Sequence, residues 1–502
     1  MKHIDTKKAL ITIMLICALA ISTLSACAIT TQTSETQGFT VPETTGTTED
    51  MSQAFSEDDM VIEYDDSISQ KITLEGNTAS SDSSSVRISG SVITIKSEGT
   101  YIVTGTLDDG YLIVDAGDDD DVRLVFKDAS VTSSDYAALY CLNAGNVFIT
   151  LEDGTENLLA SKGEFVSKDS NNVDGAVFSK TDITLNGSGS LEIISTDHGI
   201  VGKDDVTITG GNITITCSGD GIQANDSVSV REASIGITCG KDGIQADNAK
   251  DLTKGYVYIS SGTVTIAAGD DGITASSSLQ IDGGIVDITE SYEGLEGQSI
   301  TINGGNIRIV SSDDGINAVS DTSSGDMMQS DGISILKITG GNIYVKTEGD
   351  GVDSNGTFEM TGGTLTVMGP TSGANGSLDV NGSAVISGGT VIMAGAAGMA
   401  TNFTDAAQGT ILVNTGNQSQ GSEIRVADVS GNVILSASAD SSYQTVLISS
   451  PDLIKGNTYT VTAGSYTETV TLEDYIYGSG TFFGGMGGPG IMPDGGGRQR
   501  PG

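Results

Sequence analysis

The chain has 502 residues and a formal net charge of −43, from 23 basic and 66 acidic side chains. Such a charge keeps a protein soluble, makes divalent cations natural partners and excludes nucleic acid, whose phosphates need a basic surface. Glycine is abundant at 68 residues, proline scarce at 6 and tryptophan absent, a composition of many short strands and tight turns.

Lys2, Lys7 and Lys8 precede a mostly apolar run, Leu10 to Leu24, that is too short for a comfortable membrane span. It ends in Leu24-Ser25-Ala26-Cys27, which resembles a bacterial lipobox. Residues 1–26 are expected to be a lipoprotein signal peptide and Cys27 the lipid-attachment site. An ordinary secretory cut near Ala26 or Ala28 is the alternative. Acyl chains contribute about 0.8 kcal/mol per buried CH₂, so the expected location is the outer face of the bacterial cell membrane. Residues 27–59 are rich in Thr, Ser and Glu and read as a disordered tether.

Residues 60–121 read as an N-terminal β cap and 122–400 as a parallel β-helix. Residues 401–477 read as an antiparallel β cap with turns at Ser430-Gly431-Asn432 and Lys455-Gly456-Asn457, and 478–502 as a disordered Gly-rich tail.

The β-helix rests on an internal repeat. Asp220-Gly-Ile-Gln-Ala-Asn225 returns as Asp242-Gly-Ile-Gln-Ala-Asp247, with looser copies at Asp271, Glu293, Asp314 and Asp350, and upstream at Asp174 and His198. From Gly199 the corner glycines are spaced by 22, 22, 29, 22, 21 and 36 residues, the long intervals being loops. Between the copies, Gly-Gly pairs such as Gly210-Gly211 and Gly283-Gly284 precede alternating apolar residues, the mark of strands with one buried face. One turn cannot bury its apolar side, whereas stacked turns can. Ile208, Val230, Ile259, Ile281, Ile302, Ile338 and Met360 then share one inward column.

Equivalent residues of stacked turns lie about 4.8 Å apart. Outward columns bring Asp287 beside Arg308 and Lys337 beside Glu359. The corner column reads Asp174, His198, Asp220, Asp242, Asp271, Glu293, Asp314, Asp350, with Asp247, Asp270, Asp313 and Asp353 nearby. Carboxylates so spaced repel one another by about 1 kcal/mol per pair in water and more at lower dielectric. Ca²⁺, which takes six to eight oxygen ligands, is the expected neutraliser, with Asp220, Asp242, Asp270, Asp271, Asp313, Asp314, Asp350 and Asp353 as metal ligands. The other reading has each Asp bonding the following turn as an Asx corner. Both are compatible on different turns.

Cys217 and Cys239 share a column and fit either a disulfide or two buried thiols; Cys141 is alone. No Ser-His-Asp or Cys-His set, P-loop or dinucleotide motif is present. The body's one histidine, His198, sits at a polar corner. A polysaccharide lyase needs a basic residue beside its metal. Between residues 161 and 400 the arginines are Arg231 and Arg308, neither at the acidic corner, although Lys203 and Lys241 adjoin it.

The strings Gly99-Thr-Tyr-Ile-Val-Thr-Gly-Thr-Leu107 and Leu151-Glu-Asp-Gly-Thr-Glu-Asn157, the Asp-Gly-Ile corners, Met368-Gly-Pro-Thr371 and Ser387-Gly-Gly-Thr-Val391 carry a resemblance across about 62–472. The chain resembles the carbohydrate-binding, pectate-lyase-like right-handed parallel β-helix family of surface proteins from plant-fibre-degrading bacteria. The resemblance implies calcium at Asp220, Asp242, Asp271, Asp314 and Asp350, and binding of plant cell-wall polysaccharide (cellulose, polygalacturonate) without clear lyase activity. Glu293 and His198 depart from the Asp pattern. Right-handedness follows from the resemblance and from the rule for parallel connections. Tyr258, Tyr292 and Tyr344 are candidate stacking platforms for sugars, or ordinary strand tyrosines. The expected protein is a monomeric, lipid-anchored, calcium-bearing polysaccharide binder with no catalytic residues. A calcium-dependent lyase or other glycan-active enzyme on the same fold, and a structural surface spacer, are the alternatives.

Overall fold

The computed structural model describes residues 51–248, 250–251, 253–320 and 330–479. The signal peptide, Cys27, the tether up to residue 50 and the tail from residue 480 lie outside the described residues. No helix among the described residues is long and apolar enough to cross a membrane.

The described residues form an all-β protein of 41 strands, 37 of them joined in one sheet and four in a second. Most strands of the large sheet pair in parallel with a partner one turn further on. Glu156–Ser161 pairs with Ser190–Ser195, Gly175–Ser179 with His198–Gly202, and Asp182–Gly187 with Asp205–Ile208. Each of these partners lies three strands later in the chain, so the backbone winds with three strands per turn.

The inward column is in the register read from sequence. Ile208, Val230, Ile259, Ile281, Ile302, Ile338 and Met360 pair in succession, and each is 0% exposed. Burying such a side chain contributes about 1.5–3 kcal/mol, and repetition makes this column a spine of the core. The outward columns also hold: Arg308 Nη1 lies 2.9 Å from Asp287 Oδ1, and Lys337 Nζ 3.9 Å from Glu359 Oε2. As exposed pairs they add at most about 1 kcal/mol each.

The two glycine motifs serve different ends. In the Gly-Gly corners the second glycine bends the chain, with φ of +89° at Gly211 and +83° at Gly284. In the Asp-Gly corners the glycine permits close approach instead. A Cβ on Gly243 would lie 2.5 Å from the carbonyl oxygen of Gly272 in the next turn, and one on Gly221 the same distance from that of Gly243.

The corner column needs one correction upstream. Gly175, not Asp174, stands level with His198. Val177 must stack between Leu139 and Ile200 on the inward face, and this moves Asp174 one place out of line.

Parallel pairing also begins well before residue 122. Gln70–Gly76 already lies alongside Gly99–Leu107, and Val92–Ile95 alongside Tyr111–Asp115. Towards the C-terminus antiparallel pairing takes over at Tyr443–Ser450, which lies between Ala384–Gly395 and Gly409–Gln418 and is antiparallel to both. The separate sheet of Glu423–Asp428, Val433–Ser438, Thr458–Ala463 and Tyr466–Thr471 is wholly antiparallel.

Residues 51–59, read from sequence as the end of the tether, hold one 3₁₀ turn, Met51–Gln53, and the start of another, Asp58–Met60. The segment is strapped to outward side chains of successive turns. Thr184 Oγ1 donates to Asp59 Oδ1 at 2.5 Å, Thr209 Oγ1 to Asp59 O at 2.7 Å, and Arg123 Nη1 to Val61 O at 2.6 Å.

Gly243→Ala should lower stability by about 1–3 kcal/mol through overpacking. Gly236→Ala, whose Cβ meets nothing within 4 Å, should be neutral or gain up to about 1 kcal/mol. Urea denaturation of the two variants reads the contrast, and equal losses would overturn the close-approach account.

Candidate functional site

Stacking places an acidic corner on every turn from Asp220 to Asp350, and the backbone there depends on the side chains. The Asp242 N–H donates to Asp220 Oδ1 at 3.2 Å, that of Asp271 to Asp242 Oδ1 at 3.0 Å, and that of Glu293 to Asp271 Oδ1 at 3.0 Å. Further along, Asp350 N–H reaches Asp314 Oδ1 at 2.6 Å and Gly376 N–H reaches Asp350 Oδ1 at 2.5 Å. In return the glycine N–H of one corner donates to the carbonyl of the next, as from Gly243 to Asp271 at 2.9 Å. One oxygen of each such carboxylate therefore belongs to the ladder, which is the Asx reading in a form that links neighbouring turns.

A second outward column runs beside the first: Gln223, Gln245, Thr274, Glu296, Asn317, Asp353, Asp379. Its chemistry changes along the coil. Gln223 Nε2 donates to Asp220 Oδ2 at 3.1 Å and Gln245 Nε2 to Asp242 Oδ2 at 2.7 Å. At the far end the column adds carboxylates instead of amides.

Two triads of convergent carboxylates result, Asp242–Asp270–Asp271 and Asp314–Asp350–Asp353, each offering ligand atoms within 4.8 Å of one another. They hold six of the eight metal ligands expected from sequence. The other two do not join them. Asp220 faces His198 instead, with Nδ1 3.0 Å from its Oδ2, and Asp313 bonds the phenol of Tyr292.

Each triad has an orphaned oxygen next to it. Thr274 Oγ1 and Asn317 Oδ1 are buried without a hydrogen-bond partner, and they stand three residues after Asp271 and Asp314. Asn317 is 8% exposed, and its Nδ2 is committed to Glu293 Oε2 at 2.9 Å. A buried carbonyl oxygen without a donor costs about 1–3 kcal/mol, unless a cation or water completes it. The donor set is entirely hard oxygen, which fits Ca²⁺.

The electrostatics match. Burial, with neighbouring Asp220, pushes the Asp242 carboxyl up to about 7. Burial and Asp242 push Asp271 to about 8. In the second triad burial raises Asp314 to about 6, Asp350 to about 7 and Asp353 to about 8. Between the triads Glu293 is raised by burial and by the charge of Glu296, with which it also shares a hydrogen bond. Glu293 thus pairs with Glu296 and Asn317 where the other turns carry Asp.

A third convergent group, Asp182–Asp204–Asp205, was missed by the repeat reading. It lies where the next strand begins, with Asp205 N–H donating to Asp182 Oδ1 at 3.2 Å. Its sequence signal is the acidic pair Asp204-Asp205, 22 and 23 residues after Asp182, outside the Asp-Gly corner. Lys254 and Asn248 attend the neighbouring Asp226.

The remaining candidates separate. His198 closes the upstream end of the ladder, with Nδ1 2.9 Å from the Asp220 N–H and 3.0 Å from Asp220 Oδ2. Burial alone would pull its pKa down, but Asp220, Asp197 and Asp174 together hold it above the usual value. Cys141, Cys217 and Cys239 are free thiols, with Cys217 and Cys239 in hydrogen-bond contact with each other. Tyr258 is no open platform: it is 8% exposed, lies 5.7 Å from the ring of Phe55, and donates to Asp282 at 2.7 Å. Tyr344 is engaged by Asp440 at 2.6 Å and packs on the C-terminal core cluster. Tyr292 is 48% exposed beside the acidic corner.

Residues 89–334 match the family model described as carbohydrate-binding domain-containing protein. A curated relative from Acetivibrio thermocellus carries the same description and is 33% identical over 152 residues, 30% of this chain. The match spans 53% of that relative's length. A solved structure of a polysaccharide lyase-like protein from C. thermocellum, prepared as a gadolinium derivative, aligns with a TM-score of 0.41 and 25% identity. It covers 58% of this chain and 97% of that one.

The raised carboxyls give the metal-free chain a definite pH response. Their unfolded values lie near 3.8, whereas the folded Asp242, Asp271, Asp350 and Asp353 hold their protons to about 7–8. Between these limits the folded state binds more protons, so stability falls as pH rises from about 4 to about 8 and levels off above. Denaturation midpoints measured in EGTA across that range read the slope. Asp271→Asn keeps an acceptor for the Glu293 N–H and removes a charge, so it should raise the midpoint in EGTA above pH 8. A lowered midpoint there would overturn the repulsion account.

Proposed function

We propose that this chain is a surface-exposed carbohydrate-binding protein that grips plant cell-wall polysaccharide with calcium held along its acidic corners. The observation that carries the reading is the pairing of each carboxylate triad with a buried, unpartnered oxygen, Thr274 Oγ1 or Asn317 Oδ1. The match of residues 89–334 to a carbohydrate-binding family description supports the glycan part.

In this reading Asp242, Asp270 and Asp271 with Thr274 hold one ion, and Asp314, Asp350 and Asp353 with Asn317 hold another. The ion supplies positive charge, which lets a chain of net charge −43 meet an acidic glycan. Tyr292, exposed beside the corner, offers an aromatic face to a sugar. The winding is a right-handed parallel β-helix, consistent with the general rule for parallel crossovers. Lipid attachment at Cys27 after signal cleavage holds the protein at the outer membrane face.

Neither triad has a Lys or Arg in ion-pair contact among the described residues. Cation retention is therefore favoured over proton abstraction from a uronic acid.

The test incubates the mature chain, freed of lipid, with insoluble polygalacturonate and with cellulose, in calcium and in EGTA. Retention in calcium that falls in EGTA, without unsaturated uronate ends absorbing in the ultraviolet, is the expected result. A steady calcium-dependent rise in that absorbance would replace the binder with a lyase, and passage through both solids would overturn glycan binding. Asp350→Asn should weaken calcium binding by about ten-fold or more, read by calorimetric titration of the metal.

A further inference from the structure

The strap formed by residues 51–61 does more than close one face. Between it and the outward side chains of the first turns lies a cleft of about 520 Å³, within the size range of small-ligand sites. Asp58 and Val61 form one wall, and Glu98, Thr100, Asp121, Arg123 and Phe148 the other. Thr100, Arg123 and Phe148 occupy one outward column, each one turn beyond the last.

Arg123 is held rigidly. Nη1 donates to Val61 O at 2.6 Å and to Thr150 Oγ1 at 2.8 Å, and the guanidinium lies 4.6 Å over the Phe148 ring. An arginine has five N–H donors, and among the described residues those of Nε and Nη2 are left without a partner. No carboxylate among the described residues pairs with it, although Asp58 and Asp121 are close enough to be felt electrostatically.

The three carboxylates do not belong to any group that converges within 4.8 Å, so one cation does not bridge them. They leave the cleft net negative, which opposes a uronate. A partner with many hydroxyls and no charge meets both needs: its hydroxyls donate to Asp58, Glu98 and Asp121 and accept from Arg123. We infer that this cleft is a subsite for a neutral pyranose unit of a glycan chain, separate from the acidic corners. It rests on the carbohydrate-binding reading and adds to it a second, calcium-independent contact with uncharged polysaccharide.

Calorimetric titration of the full chain with a cello-oligosaccharide and with an oligogalacturonate, in EGTA, tests it. The neutral oligosaccharide should bind, and Arg123→Gln should weaken it about ten-fold or more. Because loss of Arg123 also loosens the strap, Thr100→Tyr provides an independent variant that fills the cleft and should abolish binding with the strap intact. Lys337→Ala, further along the same column, should leave affinity unchanged. Equal affinities in all four proteins would overturn the subsite while leaving retention on insoluble polysaccharide to uphold the broader reading. Preference for the oligogalacturonate in EGTA would overturn the neutral assignment, and no binding of either, with no retention on the solids, would overturn both readings.

Discussion

Backbone groups at a turn have no partner within their own strand and must find one above or below. In this chain the corner N–H groups are met by carboxylate oxygens from the preceding turn, Asp220 to Asp242 to Asp271 to Glu293. Glycine follows each acid because the next turn's carbonyl leaves no room for a Cβ. That one requirement, repeated, sets the Asp-Gly motif, fixes the register of the strands on either side and aligns the apolar columns of the interior.

The same requirement creates the functional chemistry. A ladder that uses one oxygen per carboxylate leaves the other oxygen in a crowded, poorly solvated row. Where Gln223 and Gln245 stand alongside, their amides donate to the second oxygen of Asp220 and Asp242. Where Thr274 and Asp353 stand alongside, no amide does, and the carboxyls are driven upward by burial and mutual repulsion. The ladder and the surplus charge of the corner thus come from the same carboxylates, and the adjoining column sets how that charge varies from turn to turn.

The repeat itself was legible because its period exposes both the inward column and the corner column directly, from Ile208 to Met360 and from Asp220 to Asp350. Six of the expected ligands converge for that reason. Asp174 fell out of line because the inward fit of Val177 outweighs the likeness of one Asp-Gly pair. The cover over Tyr258 could not be read from the repeat, because Phe55 comes from a segment whose composition resembles a tether. The Arg123 cleft was invisible for the same cause: half of its wall is that segment, and no spacing in the repeat points to it. The Asp182–Asp204–Asp205 group had a readable interval but no glycine to mark it.

Stacking also redefines which residues are neighbours. Position 223 touches position 245, 22 residues on in the chain, through an amide contact of 3.1 Å between Gln223 and Gln245. Selection on such a molecule acts on columns, so a substitution at one position changes the fitness of residues one turn away before it affects the next in sequence. Compensating changes in this lineage should therefore fall at steps of one turn, and a corner that loses its acid shifts the demand onto the corners above and below it.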